Sequence, residues 1–498
     1  MSRIAFALVL CLFASPARSA ERPDILMIAI DDLRPMLGCY GDPHIRTPNI
    51  DRLAKRGFVF ERAYCQVAVC GPSRLSLMTG LRPDSVGVFR NRPQDVIAFR
   101  QRRPDAISLA RWLKEHGYQT QSFGKIYHDG WDLAEDWSTP SFPGRPREMW
   151  EVVDPAQPGG PTLIAERLAC PVMQSPDVPD DHLFAGRMTQ QVLQAMSHRD
   201  RDRPVFLAVG YRRPHLPFVA PQRYFDMYQP DASWLPPNAN PPEGSPVMAW
   251  FNSDGYVESA RRIGLTMPMP PNRREAIDFN GYEMRSYRGV PNQGAIAASL
   301  QLELLRAYAA CVTYVDAQIG CLLAQLEATG RLENTLVILW SDHGWHLGEQ
   351  SAWAKMTNFE IATRVPLIFA GPGILPGRTS ALAELVDLYP TVCELVGVDP
   401  PEHLEGESLL SAWQHPDQTE DWEARSQYPR FEGQTMGRAL RTDRYRFVAW
   451  TETSSGRVVQ RELYDHRTDP NETRNLAGGD AALVNRLESQ LFGKRTSN

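Results

Sequence analysis

Asp31-Asp32, Asp342-His343, Lys125 with His128, and Arg213 with His215 occupy one kind of place in this sequence, directly after a short apolar run. The carboxylates of Asp31, Asp32 and Asp342 offer hard oxygen donors for a divalent cation such as Ca2+, and His343 adds a softer nitrogen. Cys70 stands in "VCGPSRLSLMTG" (69–80), ahead of a Gly-Pro pair and a short helical pattern closed by Gly80. Pro72 suits the first turn of a helix and Gly80 its end. Cys70 then falls at the helix N-terminus, where free N–H groups and the dipole favour an anion. Arg74, one turn in, can reach back toward it. Together these residues describe a nucleophile beside a metal, ringed by cations and aimed at an anionic ester. Each alone has an ordinary reading: Asp-Asp caps a helix, Lys125 is a solvated charge, His215 a satisfied structural imidazole, and Asp342-His343-Gly344 a turn. Their coincidence at strand ends argues for a site.

The runs that must position them are "DILMIAI" (24–30), "PVFLAVGY" (204–211), "TLVILWS" (335–341) and "VPLIFAG" (365–371), with "TQSF" leading into Gly124-Lys125. They read as buried parallel strands. Between them lie amphipathic segments such as "DAISLARWLKEHG" (105–117) and a long one over 299–330. The alternation predicts an α/β fold, a central mostly parallel sheet sandwiched by helices, with ligands beyond the carboxyl ends of the strands. The stretch 229–294, rich in Pro and Asn, reads as a long surface excursion forming a wall or lid of the site. After about Pro401 the pattern changes: "GRALRTDRYRFVAW" and "RELYDH" read as antiparallel strands and 481–493 as a closing helix. The expected organisation is a catalytic domain over 20–400 and a smaller α+β subdomain over 401–498.

The first 19 residues have the positive start, apolar run and small-x-small end of a secretory signal, which implies a periplasmic or secreted protein. Their removal takes two arginines and moves the formal charge of the 498-residue chain from −6 to −8. Mild acidity argues against general nucleic-acid binding. The apolar start is short for a membrane span, and no integral span is expected. Seven cysteines remain beyond the signal: Cys39, Cys65, Cys70, Cys170, Cys311, Cys321 and Cys393. An odd number leaves at least one thiol over, and Cys70 is the candidate.

"CGPSR" with the trailing "LSLMTG" resembles the first signature of the type I sulfatases, and "GYQTQSFGKIYH" (117–128) resembles the second. "DDLRPMLGCYGDPHIRTPNID", "GYRRPHLPF" and "SDHGWHLGEQSAWAKMTNFEIATRVPLIF" are similar to the iduronate-2-sulfatase branch. One departure is Gly71, where Ala or Thr is commoner in the family. The resemblance implies an alkaline-phosphatase-like core and conversion of Cys70 to Cα-formylglycine by a formylglycine-generating enzyme. It also implies Ca2+ held by Asp31, Asp32, residue 70, Asp342 and His343. Arg74 and Lys125 would then steady the hydrated aldehyde and the sulfate, and His128 would take the proton whose loss expels sulfate. His215 and Lys355 would bind sulfate and protonate the leaving alcohol, which of them being the acid left open. Arg213, His215, Lys355 and Trp345 are expected around the sugar. The substrate implied is a 2-O-sulfated terminal uronate of a glycosaminoglycan fragment. Alternatives are another carbohydrate or alkyl sulfatase, choline sulfatase included, or a phosphonate or phosphate ester hydrolase. A catalytically dead carbohydrate-binding relative would lack Cys70, Arg74 or Asp342, and all three are present.

Overall fold

Asp24–Ile30 (β1) is buried along its whole length because both faces of the sheet are covered. Its side chains alternate. Leu26, Ile28 and Ile30 join one core with Tyr308, Val312 and Ile319 of the long helix. Ile25, Met27 and Ala29 join the opposite core with Leu75, Leu77 and Met78. The computed structural model describes residues 22–143, 151–153, 161–163, 170–199, 202–419 and 422–493. The expected signal segment 1–19 lies outside them.

The other strands of the main sheet are Phe58–Tyr64 (β2), Gln119–Gly124 (β3), Phe142–Pro143 (β4), Val205–Tyr211 (β5), Thr335–Ser341 (β6), Arg364–Ala370 (β7) and Gly377–Glu384 (β8). Their order across the sheet is β8-β2-β7-β6-β1-β5-β3-β4. β1 pairs in parallel with β6 and with β5, and Ile30 lies level with both Ser341 and Tyr211. Asp31, Arg212 and Asp342, the next residue of each strand, therefore emerge together at one edge. β7 corrects the expectation for 365–371. It is buried, but runs antiparallel to both β6 and β2. An apolar run reports that both faces are covered and carries no information on direction.

Cys70–Thr79 (α1) is buried throughout and ends at Gly80, whose φ of 67° is left-handed. Leu109–Glu115 (α2) is capped by the Ser108 side chain. The short helix Tyr282–Arg285 (α3) precedes the long Ala298–Ala328 (α4). α4 is long and apolar enough by composition to cross a membrane. Yet 78% of its most apolar window is buried inside the fold, as in a core helix.

The segment 229–294 is more than the expected surface excursion. Its Trp250, Phe251, Phe279 and Tyr282 form a core with Val448, Trp450 and Tyr464. Those partners belong to a four-stranded antiparallel sheet of Ala424–Arg430 (β9), Thr435–Arg441 (β10), Tyr445–Glu452 (β11) and Val458–Asp465 (β12). The other face of that sheet is closed by Ala481–Phe492 (α5) through Val484, Leu487 and Leu491. All seven cysteines of the described residues are free thiols.

Candidate active site

The carboxyl ends of β1 and β6 and the first turn of α1 meet at a point. Asp32 turns there with a left-handed φ of 64°, a conformation that costs a non-glycine residue energy and is held by its surroundings. Its N–H donates to Asp342 Oδ1 at 3.1 Å, and its carbonyl accepts the Tyr308 hydroxyl at 3.0 Å. Asp31, Asp32, Cys70 and His343 each bring one ligating atom within 4.8 Å of the others, all buried. His343 Nδ1 donates to the Gly344 carbonyl at 2.9 Å, so Nε2 faces the cluster, 3.3 Å from Cys70 Sγ and 3.4 Å from Asp32 Oδ1. An imidazole fixed through its other nitrogen beside two carboxylates is the donor set of a metal ion. These residues fit one.

Arg74 ties the cluster together. Its Nε donates to Asp342 Oδ2 at 2.8 Å and its Nη2 to Asp31 Oδ1 at 3.2 Å, while Nη1 holds the carbonyls of Lys125 and Ile126. Lys125 Nζ meets Asp31 Oδ2 at 2.5 Å. Lys355 Nζ meets Asp32 Oδ1 at 2.8 Å and Cys70 Sγ at 3.4 Å. Lys355 sits between Ala354 and Met356, both left-handed at φ 74° and 71°. Two buried amides hold this strained loop. Asn252 Nδ2 donates to the carbonyls of Trp353 and Lys355 at 2.8 and 2.7 Å, and Asn280 Nδ2 to that of Ser351 at 3.0 Å.

Burial opposes charge on these groups, and the pairings decide which keep it. Burial disfavours both lysines in charged form, but Asp31 holds Lys125 above its ordinary pKa and Asp32 with Cys70 holds Lys355 well above. Burial would raise Asp31 too, but Lys125 and Arg74 overcome this and keep it well below the usual carboxylate range. Asp32 is raised well above that range by burial, with Asp31 adding to the effect against Lys355. Burial and then Asp31 push the Cys70 thiol up to about 11, so the free thiol is a poor nucleophile here. His128 is lowered to about 3 by burial and Lys125, and His215 well below its ordinary value by burial and Lys355. Both imidazoles are neutral at neutral pH.

Above this floor opens a cavity of about 390 Å³. Cys70, Lys125, His128, His215 and Lys355 face it, and Arg74, Asp31 and Asp342 lie beneath. Two expected residues do not line it. Trp345 is 0% exposed and lies under the Lys355 ammonium, 5.0 Å from ring centroid to Nζ. Arg213 is buried with Nη1 donating to the His215 carbonyl at 2.9 Å. The neighbouring Arg212 lines the cavity instead, paired with Asp129 at 2.6 Å. Arg90, Arg92, Tyr256, Glu283 and Tyr428 were not legible in the sequence. They arrive from a loop after α1, the segment 229–294 and β9. The one local signal was the Arg90-x-Arg92 pair.

Gly71 has a steric cause. A Cβ there would stand 2.5 Å from Asn91 Oδ1 and 2.5 Å from the Trp131 ring, and the Gly71 N–H donates to that Asn91 oxygen at 3.0 Å.

A family model described as "Sulfatase" matches residues 23–398, and one described as "N-sulphoglucosamine sulphohydrolase, C-terminal" matches 348–497. Human (Homo sapiens) iduronate 2-sulfatase is 30% identical, with 92% of each chain covered. The chain belongs to the sulfatase family, on its iduronate-2-sulfatase-like branch. A sulfatase of Formosa agariphila is likewise 30% identical, over 92% of this chain and 84% of that one. Among solved structures, the phosphonate monoester hydrolase of Agrobacterium radiobacter superimposes with a TM-score of 0.70 at 21% identity, covering 94% of this sulfatase and 95% of that chain. That similarity speaks for the fold. The sulfatase is a sulfuric ester hydrolase, and its family is in general formylglycine- and metal-dependent, which suits the buried cluster around residue 70.

Proposed function

We propose that this sulfatase removes 2-O-sulfate from terminal uronate residues, iduronate above all, of glycosaminoglycan fragments. The observation that carries the reading is the cavity's surplus of cations. Lys125 and Lys355 flank residue 70, and Arg90, Arg92 and Arg212 stand further out. A 2-O-sulfated uronate carries two anions, the sulfate and the ring carboxylate, which this spread of charge matches. Iduronate 2-sulfatase activity in a relative 30% identical supports the same choice.

Ca2+ would be held by Asp31, Asp32, residue 70, Asp342 and His343, with Cys70 converted to formylglycine by a formylglycine-generating enzyme. These groups supply a polarised sulfate oxygen and a hydrated aldehyde oxygen as nucleophile. The chain's own side chains do the rest. Arg74 fixes Asp31 and Asp342. Lys125 and Lys355, both charged, neutralise the sulfuryl oxygens. Neutral His128, which lines the same cavity as residue 70, is ready to take the proton from the oxygen at that position. His215 Nδ1 faces the Leu216 carbonyl at 2.6 Å, so its Nε2 presents a lone pair to the site. Lys355 is then the proton donor for the leaving alcohol. The reading includes export through the 1–19 signal and the division into 20–400 and 401–498.

The test is a panel on purified enzyme carrying the modified residue. A 2-O-sulfated uronate disaccharide should be cleaved with the highest kcat/KM, above 6-O- and N-sulfated glucosamine, choline sulfate, an aryl sulfate and a phosphonate monoester. Preference for any of the others overturns the substrate assignment.

A further inference from the structure

Glu283 is the wrong sign for the wall of a cavity that receives an anion. It is 2% exposed, lines the cavity, and sends Oε1 to 3.5 Å from Lys355 Nζ and 3.7 Å from His215 Nε2. Its other oxygen, Oε2, is buried with no hydrogen-bond partner. Such an acceptor is costly to leave unmet. The backbone that carries the side chain is fixed. It sits on α3, where the Tyr282 N–H donates to Ser253 Oγ at 2.9 Å. Arg285 Nε clamps the same turn to the Asn280 carbonyl at 2.7 Å, and Nη1 and Nη2 reach those of Pro291 and Gly294, each at 2.8 Å.

We propose that Glu283 is a specificity-determining residue whose carboxylate, on the cavity wall beside Lys355 and His215, accepts a hydrogen bond from a substrate hydroxyl on the carbon next to the sulfate ester. This rests on the reading of the substrate as a sulfated saccharide. Sulfate and uronate carboxylate oxygens are ionised and cannot donate to it, so among the groups of such a substrate a hydroxyl must. Lys355 and His215, which flank the ester's bridging oxygen, place Glu283 on the leaving-group side, where a vicinal hydroxyl projects. A quaternary ammonium or an unsubstituted aryl leaving group brings no O–H or N–H, and each would leave the carboxylate without that donor. The acid thus selects esters of polyols within a cationic cavity, because only they bring a donor with the sulfate.

The experiment compares kcat/KM for three substrates: the 2-O-sulfated uronate disaccharide, its analogue deoxygenated beside the sulfate, and an aryl sulfate. Each is run on wild type, Glu283→Ala and Glu283→Gln, all carrying the modified residue 70. Wild type should lose about 10–100-fold on the deoxy substrate. In Glu283→Ala the loss on the intact disaccharide should exceed that on the aryl sulfate by about tenfold or more, and discrimination against the deoxy substrate should shrink to about threefold. Glu283→Gln, which keeps an accepting oxygen and the side-chain shape, should retain part of it. Every ratio is taken within one preparation, so a reduced folded fraction cancels. Equal losses on disaccharide and aryl sulfate, or full deoxy discrimination surviving in Glu283→Ala, overturn the role of Glu283 alone. Wild type that leaves sulfated saccharides uncleaved, or prefers choline sulfate, overturns the saccharide reading and the role together, and the wild-type data alone show it.

Discussion

The floor and the wall of this cavity are built on different principles. On the floor, Arg74 bonds Asp31 and Asp342, Lys125 bonds Asp31, Lys355 bonds Asp32, and all of these side chains are buried. They come from two neighbouring parallel strands, the helix packed over them and two loops pinned to them. The wall is assembled from the loop carrying Arg90 and Arg92, the helix carrying Glu283, and Tyr428 of the C-terminal sheet. Its groups are less completely paired: Glu283 Oε2 has no hydrogen-bond partner and Arg92 is exposed. The contrast teaches where chemistry and selection reside. Closed pairing would fix reacting groups in one geometry, and looser pairing on the wall would leave groups to meet a substrate.

The hardest blow to the floor is removal of its proposed nucleophilic position. Cys70→Ala should lower sulfate release by ~10^3-fold or more, and Cys70→Ser nearly as much, since serine offers a single hydroxyl. Peptide mass spectrometry of active wild type should show an aldehyde oxygen in place of sulfur at residue 70. Fully active enzyme with only thiol there would remove the nucleophile from the scheme.

A middle-sized effect is expected where floor and wall touch. Gly71→Ala must displace Trp131 or Asn91, and such overpacking costs roughly 1–3 kcal/mol. Denaturant unfolding should show a lower midpoint, partly recovered by adding Trp131→Leu. An unshifted midpoint would mean the ring yields freely and the steric account of Gly71 is wrong. The smallest effect belongs to the rim. Arg92→Ala should leave stability within about 0.5 kcal/mol while raising KM for the anionic disaccharide by about three- to tenfold, as suits loss of one solvent-screened charge. If KM stays put while kcat falls, Arg92 serves the floor instead, and the division between floor and wall fails at that residue.

The same division governs what the sequence discloses. "DILMIAI" and "TLVILWS" match β1 and β6 residue for residue, because a doubly covered strand needs an unbroken apolar run. The residues directly after a strand land at the sheet edge, so Asp31, Asp32, Asp342 and His343 could be placed together from spacing alone. The wall has no such rule. Glu283 sits in a helix of four residues that obeys no amphipathic repeat and is held by Ser253 and by Arg285 itself. Trp250 and Phe251, buried against the C-terminal sheet, look like any apolar pair in a proline-rich stretch. The choice of Arg212 over Arg213 turns on which of two adjacent guanidinia folds back on the His215 carbonyl, a tertiary matter.

Cys70 is 1% exposed, and Gly71, Pro72, Ser73 and Arg74 after it are buried as well. A small ester can reach residue 70 through the cavity, but a macromolecular catalyst that reads those five residues as a peptide cannot grip them in the finished molecule. Any enzyme that rewrites the side chain must therefore meet this stretch while it is still extended. If residue 70 is converted as proposed, the chemistry of the mature protein would be decided by a race during biogenesis, between the modifying enzyme and the closing of helix α1 onto the sheet.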